Sequence, residues 1–156
     1  MAVSPIPEGY HSMTPYLIVK GAVSAIEFYK KAFGATELMR LEGPDGKIGH
    51  AELMFGDSHV MMADEHPEMH VFAPQMPGSA GVSICLYVQD VDTIVAQATD
   101  AGAKIRRPLQ NQFYGDRSAT LEDPFGHIWT VSTHIEDVTP EEINSRVAEM
   151  MKQPPQ

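Results

Sequence analysis

One cysteine, few basic residues and no long apolar run mark this chain of 156 residues, and each shortage excludes something. A lone Cys85 leaves no internal disulfide framework and no all-cysteine metal site. Eleven Lys and Arg stand against twenty-one Asp and Glu, a net charge of −10. No basic cluster exceeds Arg106-Arg107, so phosphate backbones are repelled and nucleic acid is not expected as a partner. No stretch approaches the roughly 18 apolar residues of a membrane-crossing helix. The N-terminus also lacks the basic, apolar, small-residue order of a signal peptide, so a cytoplasmic protein without membrane partners is expected. No glycine-bracketed serine elbow occurs, and Gly43-Pro44-Asp45-Gly46 lacks the Lys-Ser/Thr ending of a phosphate loop. What is present, 43% hydrophobic against 21% charged residues, is enough to build a core and excludes disorder for the bulk of the chain.

The order of elements emerges from periodicity and punctuation. Residues 1–12, with Pro5, Pro7 and Gly9, read as an extended arm. Residues 16–19 read as a buried strand, and 24–33 as a helix ended by Gly34. Strands follow at 36–42, 47–55 and 59–63, the last two joined by the tight turn Gly56-Asp57. Prolines and glycines across 65–81 allow no regular element and mark a linker. Then the order returns: a strand at 82–88, a helix at 91–101, and strands at 103–109, 117–122 and 127–132. A last helix, 140–151, starts from Thr139 with Glu142 three residues on, a capping box.

The second pass repeats the first in register. Leu17-Ile18-Val19 maps onto Leu86-Tyr87-Val88 at an offset of 69, and Gly34-Ala35 onto Gly102-Ala103 at 68. Ala51–Leu53 onto Ala119–Leu121 and Val60 onto Ile128 keep the offset of 68. An α+β chain of two βαβββ modules is therefore expected, at 13–64 and 82–135, with the C-terminal helix and tail at 136–156.

Two such modules resemble the glyoxalase/bleomycin resistance/dioxygenase group, the vicinal oxygen chelate superfamily. The resemblance rests on Ile26-Glu27-Phe28-Tyr29-Lys30-Lys31-Ala32-Phe33-Gly34-Ala35 and on Leu121-Glu122-Asp123-Pro124-Phe125-Gly126-His127. Tyr114-Gly115-Asp116-Arg117, with the stretch continuing to Trp129, is most similar to the PhnB-like branch. The resemblance implies curled mixed sheets that together form a cup, with helices outside. Strand alternation then assigns faces. Leu17, Val19, Ala51, Leu53, Phe55, Met61, Ala63, Leu121, Trp129 and Val131 are expected under the helices. Tyr16, Ile18, His50, Glu52, Met54, Val60, Met62, Cys85, Tyr87, Ser118, Thr120, Glu122 and Thr130 are expected on the cup side.

Metal-dependent members place one ligand on the first and last strand of each module. Those positions carry over to Thr14, Met62, Ser83 and Thr130. Two threonines, a serine and a thioether do not supply the basic N or O donors that a divalent ion wants, so no metal and no other cofactor is expected. His50, Glu52 and Glu122 are the catalytic candidates, as a rearranged metal or acid/base site set against a hydrogen-bonded patch in the cup floor. The expected ligand-binding set is Thr14, Tyr16, Met54, Met62, Ser83, Cys85, Tyr87, Tyr114, Arg117 and Thr130. Cys85 reads either as a small hydrophobe or as a thiol near His50. Arg117 reads as an ion pair with Asp116 or as an anion grip at the cup mouth. Apolar linker residues Met69, Phe72 and Met76 either close the cup or pack on a partner subunit. Three functions follow: a metal-independent binder of a small organic molecule, a metal-dependent lyase, isomerase or dioxygenase, and a structural dimer with a vestigial cup. The resemblance also implies a homodimer, one that the linker is long enough to let exchange modules.

Overall fold

A computed structural model of the chain describes residues 3–153, so the first two residues of the expected arm and residues 154–156 of the tail lie outside the described residues. The first module is β1 (Tyr16–Val19), α1 (Ala22–Phe33), β2 (Thr36–Glu42), β3 (Ile48–Phe55) and β4 (Ser58–Asp64). The second is β5 (Ser83–Tyr87), α2 (Val91–Ala101), β6 (Lys104–Asn111), β7 (Asp116–Glu122) and β8 (Ile128–His134), followed by α3 (Pro140–Lys152). The sheets run β1-β4-β3-β2 and β5-β8-β7-β6, each with one parallel pair made by the helical crossover and antiparallel pairs elsewhere. The expected α+β class holds. Between the modules, Pro67–Met69 adds a single 3-10 turn that the proline-rich linker did not foretell.

Each helix is anchored by the strand that ends its module. Gly21 offers no side chain to cap α1, and Asp64 at the end of β4 does so instead. Its Oδ1 accepts from the backbone N–H groups of Gly21 and Ala22 at 2.9 Å, a carboxylate on the positive end of the helix. Sixty-nine residues on, Thr133 Oγ1 accepts from the N–H of Val91 at 2.9 Å and begins α2. One structural position thus does the same task twice.

The apolar side of α1 buries Ala22, Ala25, Ile26, Tyr29, Ala32 and Phe33 against its sheet and the second module. There Trp129 meets Tyr29, Phe33 and Phe55 with ring centroids 4.7 to 5.4 Å apart, an aromatic joint shared by both modules.

The repeat register is corrected in one place. β3 maps to β7 at 68, but β4 maps to β8 at 69. The equivalent cross-strand pairs are Met54 with His59, which leaves four residues between them, and Glu122 with Ile128, which leaves five, so the second turn is one residue longer. Once that extra residue is counted, every residue of β4 takes the face opposite to the one an unbroken offset of 68 assigns. Val60 and Met62 therefore face the helix, opposite Leu53 and Ala51, and Met62 is 0% exposed. Met61, paired with Glu52 and Tyr16, faces the cup in place of Met62.

Candidate functional site

β1 and β5, each at the edge of its sheet, lie side by side. His127 Nε2, in the turn just before β8, reaches Ile18 O at 3.0 Å, and Thr14 and Pro15 share a 170 Å³ gap with Ile84, Cys85 and Leu86. The two sheets thus present one divided concave face, from β2 to β6, with both halves supplied by the same chain.

On the first half, four side chains form a chain of hydrogen bonds. Tyr16 Oη meets His50 Nδ1 at 2.7 Å, and His50 Nε2 meets Glu52 Oε1 at 3.1 Å. Glu52 Oε2 accepts from the hydroxyl of Tyr10, whose ring lies against His59 with centroids 3.8 Å apart. The N-terminal arm is therefore not free: Tyr10 seats it across β3 and β4. The Tyr10 and His50 hydrogen bonds hold the Glu52 carboxyl below its usual range, and the bond to Glu52 raises Tyr10.

On the second half, Tyr87 donates to Asp116 Oδ2 at 2.6 Å, and His134 Nδ1 meets the other oxygen of Asp116 at 2.8 Å. That bond to a buried carboxylate pushes the Tyr87 hydroxyl up to about 12, so it stays a donor. Loop 112–115 leans over this half. Gly115 has φ +102°, and its Cα passes so near Glu136 O that a Cβ there would lie 2.1 Å from that oxygen. Ile135 and Glu136 both donate to Gly115 O, and Arg146 of α3 donates to Phe113 O at 3.0 Å, so the loop is held from behind.

Two hollows open on the concave face. One, of about 310 Å³, lies between Tyr16, Ile18 and His127 and the linker residues Phe72 to Gln75. The other, about 260 Å³, is lined by Arg107, Gln110, Tyr114, Ser118, Thr120 and Thr130.

The Glyoxalase/Bleomycin resistance protein/Dioxygenase superfamily model matches residues 11–131. The chain belongs to this superfamily. An uncharacterised protein of Mycobacterium bovis is 40% identical over 140 residues, covering 88% of this chain and 92% of that one. TioX from Micromonospora sp. ML1 is 26% identical with a TM-score of 0.61, covering 83% of this chain and 100% of its own. The PhnB protein from Bacillus cereus shares the fold at 20% identity and a TM-score of 0.60, covering 79% and 99%.

With the register corrected, the superfamily's four ligand positions fall on Thr14, Met61, Ser83 and Thr130. This donor set does not fit a divalent metal: three neutral hydroxyls and a thioether replace no water shell at acceptable cost. The catalytic candidates do not assemble elsewhere. His50 and Glu52 are joined to each other and to the tyrosines, while Glu122 lies at the end of β7 with its carboxylate on Arg106. Among the described residues, no three His, Cys, Asp or Glu side chains group as a metal would need.

The expected ligand set divides. Tyr16, Ser83, Cys85, Tyr87 and Thr130 lie on the concave strands, Met54 faces with His59, Tyr114 overhangs β7, and Thr14 borders the gap. Met62 is in the core and leaves the set. Arg117 leaves it too. Alternation turns it toward α2, where it grips both oxygens of Asp92 at 2.8 Å instead of pairing with Asp116. Sequence reading missed Tyr10 and Arg107. The arm carries no periodicity to place it, and β6 is broken by Pro108 and two register shifts that hide its faces.

Proposed function

We propose that the chain binds a small organic molecule in the concave face between its two sheets, without a metal. One observation carries the reading: large side chains stand exposed where a soluble sheet would place small polar ones. Tyr16 is 46% and Tyr87 63% exposed, both with anchored hydroxyls, and an exposed Phe72 borders the same hollow as Tyr16. Aromatic walls with a few fixed polar groups are the usual make-up of a small-molecule site. The rearranged-metal enzyme has less support, because Glu122 is bound to Arg106 rather than to His50 and Glu52.

We further propose a homodimer. α3 has no fully buried side chain in its own chain, only the half-buried Ile143, Arg146 and Val147, and leaves Met150 and Met151 exposed, while β2 exposes Leu38, Met39 and Leu41 at the outer sheet edge. Exchange of modules is not needed to complete the concave face, since one chain supplies both halves.

Elemental analysis of protein purified without chelator, followed by a thermal-shift screen of organic compounds, tests the reading. Metal-free protein stabilised by a compound is expected, with about 2.7 kcal/mol gained at a hundredfold excess over Kd. Stoichiometric metal that survives dialysis and is lost in Glu52→Ala overturns it.

A further inference from the structure

The two halves of the concave face differ in what already fills them. Across β3 and β4 the arm lies in place, with Tyr10 on Glu52 and His59. Among the described residues no arm lies across β6, β7 and β8, where loop 112–115 borders the 260 Å³ hollow without a side chain seated across the strands as Tyr10 is.

Its charges are unequal as well. Both carboxylates on the concave side of β7 are engaged, Asp116 by Tyr87 and His134, and Glu122 by Arg106. The chain has five arginines, and four hold a carboxylate: Arg40 with Glu37, Arg106 with Glu122, Arg117 with Asp92 and Arg146 with Glu136. Arg107 alone holds none among the described residues. It stands opposite Thr120 on the concave face and lines the hollow. Around it are neutral groups: the hydroxyls of Ser118, Thr120 and Thr130, the Gln110 amide and the ring of Tyr114. A guanidinium that is free to fork two parallel hydrogen bonds, in a hollow with no competing carboxylate on its lining, selects for a planar anion.

We infer that the second half of the cup binds an organic carboxylate, its charged group on Arg107, its body along Tyr114, and its remaining polar atoms on the hydroxyls of Thr120 and Thr130, Ser118 being held by Gln112 at 3.1 Å. This rests on the binding reading above and narrows it to a ligand class and a position.

Titration calorimetry on the intact protein, with matched pairs of a carboxylate and its primary amide, tests it. Benzoate, phenylacetate, indole-3-acetate and 2-naphthoate, each beside its amide, serve as probes. At least one acid is expected to bind tenfold or more tightly than its amide. Arg107→Gln should erase that preference while leaving amide affinity within about twofold, and Arg107→Lys should keep only part of it, because a point charge lacks the fork. High salt should shrink the preference in the wild type alone. Amides that bind as well as acids, or a preference that survives Arg107→Gln, overturn the carboxylate assignment and leave the cup reading standing. If no member of any pair binds, both fall.

Discussion

Tyr29 Oη donates a 2.5 Å hydrogen bond to Asp123 Oδ2, tying α1 of the first module to the β7–β8 turn of the second across 94 residues. Asp123 is 2% exposed and also accepts from Trp129 Nε1 and from the backbone N–H groups of Phe125 and His127, each at 2.9 Å. Four donors on one buried carboxylate leave no lone pair idle, and removing the acceptor strands all of them. Asp123→Ala is expected to cost about 3 kcal/mol in urea unfolding, and Tyr29→Phe about 1 kcal/mol. Wild-type stability in Asp123→Ala would show that the joint does not hold the modules together.

The register of β4 has a direct test. Met62→Glu buries a charge against Ala51 and Leu53, and should cost about 3 kcal/mol or more, or abolish folding. Met61→Glu points into the cup and should be tolerated within about 1 kcal/mol. Combined with Ser83→His, it should create Zn²⁺ affinity, measurable by calorimetry, where the parent has none. The opposite ranking of the two single variants would restore the register read from the uniform offset.

That register shows where sequence reading stops. The repeat was legible because strand alternation and the Gly34 and Gly102 helix ends recur at a nearly constant spacing. The faces of β1, β3, β5 and β7 followed from alternation alone. β4 did not, because the run Val60-Met61-Met62-Ala63 is apolar on both faces, and only the lengths of the two hairpins decide which residues turn inward. The site was legible in part for a related reason. Tyr16 and Tyr87 sit on regular strands, whereas Tyr10 and Arg107 take their places from an aperiodic arm and a bulged edge strand.

His134 supplies a pH dependence. Its hydrogen bonds to Asp137 and Asp116 raise it above the ordinary value of about 6.5. A histidine raised by folding contributes stability that is complete below its unfolded value and is lost as pH climbs through the folded one. Melting temperature should therefore fall as pH rises above about 6.5, by an amount that shrinks in His134→Gln. An unchanged pH profile in that variant would remove His134 from the network around Asp116 and Tyr87.

Truncation of the concave aromatics probes the binding face itself. Tyr16→Ala or Tyr87→Ala should weaken a bound compound by about 1 to 3 kcal/mol, the value of an aromatic contact. Tyr16→Phe frees His50 from the same 2.7 Å hydroxyl partner but keeps the ring, so its effect should be smaller than that of Tyr16→Ala. Equal affinities across these variants would place the compound elsewhere.

The most direct test of the central claim is a titration of isotope-labelled protein with the tightest compound from the screen, followed by amide NMR. Saturable shifts are expected at Tyr16, Cys85, Tyr87, Thr120 and Thr130, on the concave strands of both modules. Shifts confined to α1, α2 or α3, or none that saturate, would contradict a ligand held in the cup.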